Sequence, residues 1–257
     1  MASLAFSPLD GPATPITEAE AATRRDLAAC YRLCALQGWD DLVATHISAR
    51  VPGEDAFLIN PFGWLFEEIT PASLVKIDLD GNLLAPTPHR VNRAGFVIHS
   101  AVHAARADAH CVIHLHTKDG VAVSALEEGL LPLNQTAMLL ASGVAFHEYE
   151  GVALHLEERA RLVADLGERS VMLLRNHGTL ALGPTVADAF TLAYFLEWAC
   201  TVQVRTLAMG RPLHDADPAV VAAMGAHRSS EGSSMARDLV WPAMLRKLDR
   251  IDPRWRD

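Results

Sequence analysis

Residues 110–117 read HCVIHLHT, and what this octet is decides how the rest of the chain is arranged. Val112 and Ile113 are β-branched, Cys111 and Leu115 are apolar, and neither Gly nor Pro interrupts the run, so it reads as a buried strand. Side chains at i and i+2 of a strand leave the same face. His114 and His116 are therefore placed to present two imidazoles to one point, the arrangement that a transition-metal ion requires. An H-x-H pair is also met as two hydrogen-bonded structural histidines, and a third ligand is needed to separate the readings. His177, in LRNHGTL, is the candidate: the preceding VMLLRN reads as a strand, and Gly178 permits a turn directly after it.

Moving outward from the octet, FVIHSAVHAARAD before it carries helical spacing, in a helix that resumes near Val91. Further upstream, LVATHISARV, AFLIN and SLVKIDL are short β-type runs separated by the turn segments VPGED, NPFG and DLDGN. Thr17 offers an N-cap, Glu18 and Glu20 an acidic first turn, and Leu27, Cys30, Tyr31 and Cys34 the apolar stripe of a helix that Gly38 stops. Downstream, the pattern predicts a helix over Lys118–Leu126, strand-like pieces near Ala137–Phe146, a helix over Glu157–Leu166 and strands at VMLLRN and ALGPT. The longest helix is expected from Thr185 to Met209, closed by Gly210 and Pro212. Residues 1–17 are expected to form a flexible arm, 18–212 one α/β domain, and 213–257 an extension with a mobile loop at HRSSEGSSMARD.

Composition agrees with this organisation. The chain has 257 residues, half of them hydrophobic, and a net charge of −9, enough for one large core without disulfides. The acidic balance speaks against nucleic acid as a partner, since phosphate-backbone binding needs clustered Lys and Arg. No run approaches the roughly 18 apolar residues of a membrane span, and the N-terminus lacks the pattern of a secretory signal. A cytoplasmic protein without a membrane partner is the expectation. The four cysteines, Cys30, Cys34, Cys111 and Cys200, form no C-x-x-C pair and read as buried thiols. The glycine-rich phosphate, dinucleotide and nucleophile-elbow motifs are missing from the sequence.

The order and wording of HISARVPG, LINPFGWLFEEITPASLVKIDLDG, HSAVHAARADAHCVIHLHT, FHEYEG, LLRNHGTLALG and QVRTLAMG resemble the class II aldolase/adducin family over residues 20–210. Adducin head domains are nearer in wording than the sugar-phosphate aldolases. The resemblance implies a three-layer α/β/α domain with a largely antiparallel central sheet, and a homotetramer with sites at subunit boundaries. In the aldolases three histidines hold a divalent metal, and the matching residues are His114, His116 and His177. Zinc is the first choice of metal, while iron, manganese and cobalt suit three imidazoles as well.

One part of the aldolase pattern is altered. The glutamate that moves the proton in those enzymes stands four residues before a histidine, and counting back from His99 gives Gly95. Arg93 and Ala94 replace the small hydroxyl residues that help hold a substrate phosphate, and His46 in THISAR replaces an asparagine. Substitute acids or bases are sought among Glu67, Glu68, His99, His103 and Tyr149. Substrate anchors are sought among His46, Ser48, Arg50 and Arg93. The expected function is a divalent-metal-dependent lyase, of aldolase or decarboxylase type, acting on a small oxygenated carbonyl or carboxylate compound. Its substrate should carry a carboxylate or bulkier group in the space that a missing Glu side chain leaves. The alternatives are a non-haem iron(II) oxygenase using the same histidines and an adducin-like assembly module without catalysis.

Overall fold

The computed structural model describes residues 15–141, 143–227 and 232–256. The expected N-terminal arm thus lies, through residue 14, outside the described residues, as do 228–231 of the polar run. Helix α1 (Glu18–Leu36) begins where Thr17 Oγ1 accepts a hydrogen bond from Glu20 N at 3.1 Å, and ends before Gly38, whose φ is +69°. Three antiparallel strands follow: β1 (His46–Arg50), β2 (Ala56–Ile59) and β3 (Val75–Asp78). LVATHISARV is strand only in its second half, because Leu42 adopts a positive φ of 49° and residues 42–44 turn.

Helix α2 (Arg93–Ala105), capped by Asn92, leads into β4 (Cys111–Leu115), and Thr117 caps the short α3 (Lys118–Ser124). The segment expected to be strand-like near Ala137–Phe146 is divided. Asn134 Oδ1 accepts from Ala137 N at 3.0 Å at the start of α4 (Gln135–Ala141), and only β5 (Val144–His147) is extended. The cap, absent from a reading of apolar content alone, decides this. Then come α5 (Glu158–Leu166), β6 (Val171–Leu174), β7 (Gly178–Gly183) and the long α6 (Val186–Ala208).

The strands form one sheet in the order β3-β2-β1-β4-β7-β6-β5, antiparallel except for β5 beside β6. Alternation sorts the side chains. Ile47, Ala49, Ile113, Leu115 and Ala181 face one layer with Leu27, Phe190 and Leu196 of α1 and α6. Phe57, Val112, Met172 and Leu180 face the other with Phe96, Val102 and Leu162 of α2 and α5. The result is the expected three-layer α/β/α domain. All four cysteines are buried.

The C-terminal region departs from the expected loop. Helix α7 covers Pro218–His227, α8 covers Gly232–Met235, and a π-helical turn at Ala236–Val240 runs into α9 (Trp241–Ile251). Trp241, Leu248 and Trp255 enter the core beside α1 and α6, and Arg32 pairs with Asp252 at 3.0 Å. Trp241 and Leu248 lie two turns apart on one face of α9, and Trp255 follows in a 3-10 turn at Pro253–Arg256, so the apolar side chains of this end need the domain to cover them. Among the described residues no helix is long and apolar enough to cross a membrane.

Candidate metal centre

His114 lies on the α2 side of the sheet, directly opposite His46 in the β1–β4 register. β4 ends at Leu115, so His116 stands one residue beyond the strand, in the corner that Thr117 closes. His177 sits in the turn of residues 175–177 between the paired Leu174 and Gly178. The left-handed residue of that turn is Asn176, at φ 55°, rather than the glycine. Gly178 serves close approach instead: a Cβ there would lie 2.3 Å from the Leu115 carbonyl oxygen.

These three pieces of chain bring three ring nitrogens together. Nε2 of His114 is 2.9 Å from Nε2 of His116, which is 3.0 Å from Nε2 of His177. Acceptors at the far side of two rings account for that meeting. His114 Nδ1 donates to the Thr179 carbonyl at 3.0 Å and His116 Nδ1 to Asp41 Oδ2 at 3.1 Å, leaving each Nε2 with a bare lone pair aimed inward. Burial, with the neighbouring imidazoles adding to it, holds His114 well below the usual histidine range and His177 at about 4. Three converging imidazole nitrogens are the donor set that a divalent cation needs, so the residues fit the metal that the sequence suggests. A cavity of about 490 Å³ opens beside them, lined by Asp40, Asp41, His116, Thr117, Lys118 and His177.

The other expected site residues divide into near and far. Tyr149 is half exposed, with its ring 6.2 Å from that of His177. His46 stacks on His114, ring centroids 5.0 Å apart. His99, His103 and Ser48 are buried behind His46: His99 Nε2 meets His46 Nδ1 at 2.9 Å, and Ser48 Oγ lies 2.5 Å from His99 Nδ1 and 2.7 Å from His103 Nε2. Ser48 is thus occupied by protein partners and does not face a substrate. Arg50 is at the opposite end of β1, roughly 13 Å along the strand from His46; it bonds the His103 carbonyl and backs α2. Glu67 and Glu68 lie exposed on a 3-10 turn against α1, where Glu68 Oε2 accepts from Leu65 N at 2.7 Å, outside the cavity of the triad. Arg93, in the first turn of α2, keeps a buried Nε without a partner among the described residues.

The space expected above the metal beside Gly95 is already filled. A Cβ on Gly95 would lie 2.7 Å from Cδ2 and 3.0 Å from Nε2 of His46. Histidine on β1 and glycine on α2 exclude any larger residue at position 95, and a carboxylate-bearing substrate group finds no room there.

Two supporting residues escaped the reading of the sequence. Asp41 orients His116 from the loop before β1. Glu197, 3% exposed on α6, accepts hydrogen bonds from Thr117 Oγ1 and from Thr179 Oγ1, the latter at 2.9 Å. It ties together the residue after His116 and the residue whose carbonyl orients His114. Burial, chiefly, pushes its carboxyl up to about 7. The signal for it was present: one acid inside the apolar run TLAYFLEWACTV.

Residues 25–204 match the family model described as Class II Aldolase and Adducin N-terminal domain. A Caulobacter vibrioides protein named for the class 2 aldolases is 54% identical over 243 residues, covering 94% of this chain and 95% of that one. Alpha-adducin of Mus musculus is 48% identical over 189 residues, covering 72% of this chain but 26% of the adducin. Among solved structures, an L-fuculose 1-phosphate aldolase from Glaciozyma antarctica superposes with a TM-score of 0.82 at 26% identity, covering 96% of this chain and 97% of its own. With the matched domain spanning most of the described residues and the relatives sharing half their sequence, the chain belongs to the class II aldolase/adducin family.

Proposed function

We propose that the protein is a divalent-metal-dependent lyase that makes or breaks a carbon–carbon bond next to a carbonyl in a small oxygenated substrate. The observation that carries the reading is the meeting of three imidazole nitrogens, of His114, His116 and His177, beside a cavity large enough for a small molecule. When bound, a divalent ion supplies Lewis acidity toward a carbonyl or enediolate oxygen. The chain's own residues do the rest. Asp41 and the Thr179 carbonyl hold two of the rings in the ligating tautomer, while the exposed Tyr149, whose ring is 6.2 Å from that of His177, is the proposed proton donor and acceptor. Zinc is the metal proposed. Copies of the chain are proposed to assemble as a tetramer, with Trp198, Leu207 and Met209 of α6 and its end, all exposed in the single chain, covered by a neighbour.

The similarity to adducin supports a second reading, an assembly module that binds metal without turnover. Elemental analysis of anaerobically purified protein, combined with a screen of hydroxy-carbonyl and 2-oxo acid substrates, separates the readings. Zinc with lyase turnover supports the proposal; iron with oxygen consumption favours the oxygenase, and no bound metal with no turnover favours the module. Light scattering at micromolar concentration tests the assembly, which a monomeric mass overturns.

A further inference from the structure

The wall of the cavity beside the triad has a charge pattern of its own. Besides His116 and His177 it carries Asp40, Asp41 and Lys118, and Lys118 is the one lysine or arginine among the described residues that line it. The neighbouring acids are engaged elsewhere. Asp41 Oδ2 accepts from His116 Nδ1 at 3.1 Å, and Asp119 Oδ2 accepts from Thr201 Oγ1 of α6 at 2.6 Å. Lys118 is exposed and has no ion-pair partner among the described residues, whereas Lys76 is held by Glu20 at 2.9 Å and Glu54 at 2.8 Å. Its position brings the fold no gain either. Lys118 is the first residue of α3, behind the Thr117 cap, and a cation there meets the positive end of the helix dipole. Stability does not account for this charge, which leaves the cavity as the place where it acts.

We infer that Lys118 is a specificity-determining residue whose ammonium pairs with the carboxylate of a monoanionic hydroxy or oxo acid in this cavity. The charges of the wall set the choice of anion. A divalent ion on His114, His116 and His177 requires unprotonated rings, so together with Asp40, Asp41 and Lys118 the loaded site carries one net positive charge. One carboxylate matches it. A phosphate monoester brings about two negative charges and would face two aspartates with a single lysine to hold it. Backbone donors do not make up the difference: Gly120 N is bonded to Thr117 Oγ1 at 3.1 Å and Val121 N to the Thr117 carbonyl at 2.8 Å. The carboxylate that finds no room beside Gly95 thus has it on the His116 side of the triad. This assignment deepens the lyase proposal and rests on its metal, though not on turnover.

Calorimetry on the full, zinc-loaded chain tests it with pyruvate, hydroxyacetone and dihydroxyacetone phosphate, ketones with the same carbon skeleton that differ in charge. Wild type should bind pyruvate more tightly than the other two. Pyruvate's carboxylate can also reach the zinc, so the lysine is read from the variants. Lys118→Gln should lower the preference for pyruvate over hydroxyacetone by about tenfold, the worth of one charge-assisted hydrogen bond, and Lys118→Arg should keep it. Added salt should weaken the preference in wild type and leave it unchanged in Lys118→Gln. With ¹³C-methylated lysines, side-chain signals arise from Lys76, Lys118 and Lys247 alone. That of Lys118, assigned by its loss in Lys118→Gln, should shift with pyruvate and not with hydroxyacetone. In urea Lys118→Gln should be at least as stable as wild type, since α3 sheds an unfavourable charge. An unmoved ratio in Lys118→Gln, a Lys118 signal indifferent to pyruvate, tighter binding of dihydroxyacetone phosphate than of pyruvate, or a clear loss of stability each overturns the proposal and leaves the lyase reading standing. Failure of zinc to bind overturns the metal reading and this assignment with it, while binding as expected without turnover of any acid supports Lys118 and overturns the lyase.

Discussion

Replacing Glu197 by Gln should remove a pH dependence from the stability of the metal-free protein. The carboxyl is buried between Thr117 and Thr179, and its folded value of about 7 stands against an ordinary 4.5. Between those values the folded state binds the proton more tightly than the unfolded state. Stability contributed by the neutral acid is therefore fully present below about pH 4.5, falls as the pH rises, and is lost above about 7. A tenfold change in proton affinity is worth about 1.4 kcal/mol, so the whole loss is of the order of 3 kcal/mol. Gln has nearly the same shape, keeps an acceptor for one threonine hydroxyl and has nothing to ionise. Urea unfolding of both proteins with a chelator present, at about pH 5 and about pH 8.5, gives the comparison, since the histidines titrate in both and cancel. Glu197→Gln should be close to wild type at the lower pH and more stable by roughly 3 kcal/mol, relative to it, at the higher. The same stability difference at both pH values would refute the reasoning, because it would mean that the carboxyl is ionised throughout.

Other expectations concern the triad, the glycine and the terminal helix. His114→Ala, His116→Ala and His177→Ala should each lower zinc binding by at least about tenfold, measured by calorimetry, while far-ultraviolet dichroism stays that of the wild type, because the core does not depend on the ion. Gly95→Glu should not restore a sugar-phosphate aldolase: its Cβ meets the His46 ring, so a destabilisation of about 1–3 kcal/mol in urea and no cleavage of fuculose 1-phosphate are expected. Cleavage appearing in that variant would show that the ring moves aside freely. Trp255→Ala, emptying a side chain 2% exposed, should cost about 3–5 kcal/mol in the same assay, and a loss within experimental error would mean that the chain's end is not part of the cooperative core.

Much of the framework is local in origin and could be read without coordinates. Thr17, Asn92, Thr117 and Thr185 cap helices through hydrogen bonds spanning two or three residues, and the β-branched run at Val112 and Ile113 makes a strand wherever it packs. The spacing of His114 and His116 sets two rings side by side for the same local reason, although His116 proved to lie just past the strand. The asparagine cap that turned residues 135–141 into a helix was local too, but its signal is one side chain against a window of apolar residues. What tertiary structure alone decided is which distant residues share a space. Strand register placed His46 against His114, helix packing laid Gly95 over the same ring, and α6 carried Glu197 beneath Thr117 and Thr179. It also moved Ser48, Arg50, Glu67 and Glu68 away from the cavity. A residue type and its spacing describe what a side chain can do, while the buried chain of contacts from His46 through His99, Ser48 and His103 to the Ala109 carbonyl joins residues that only folding brings into line.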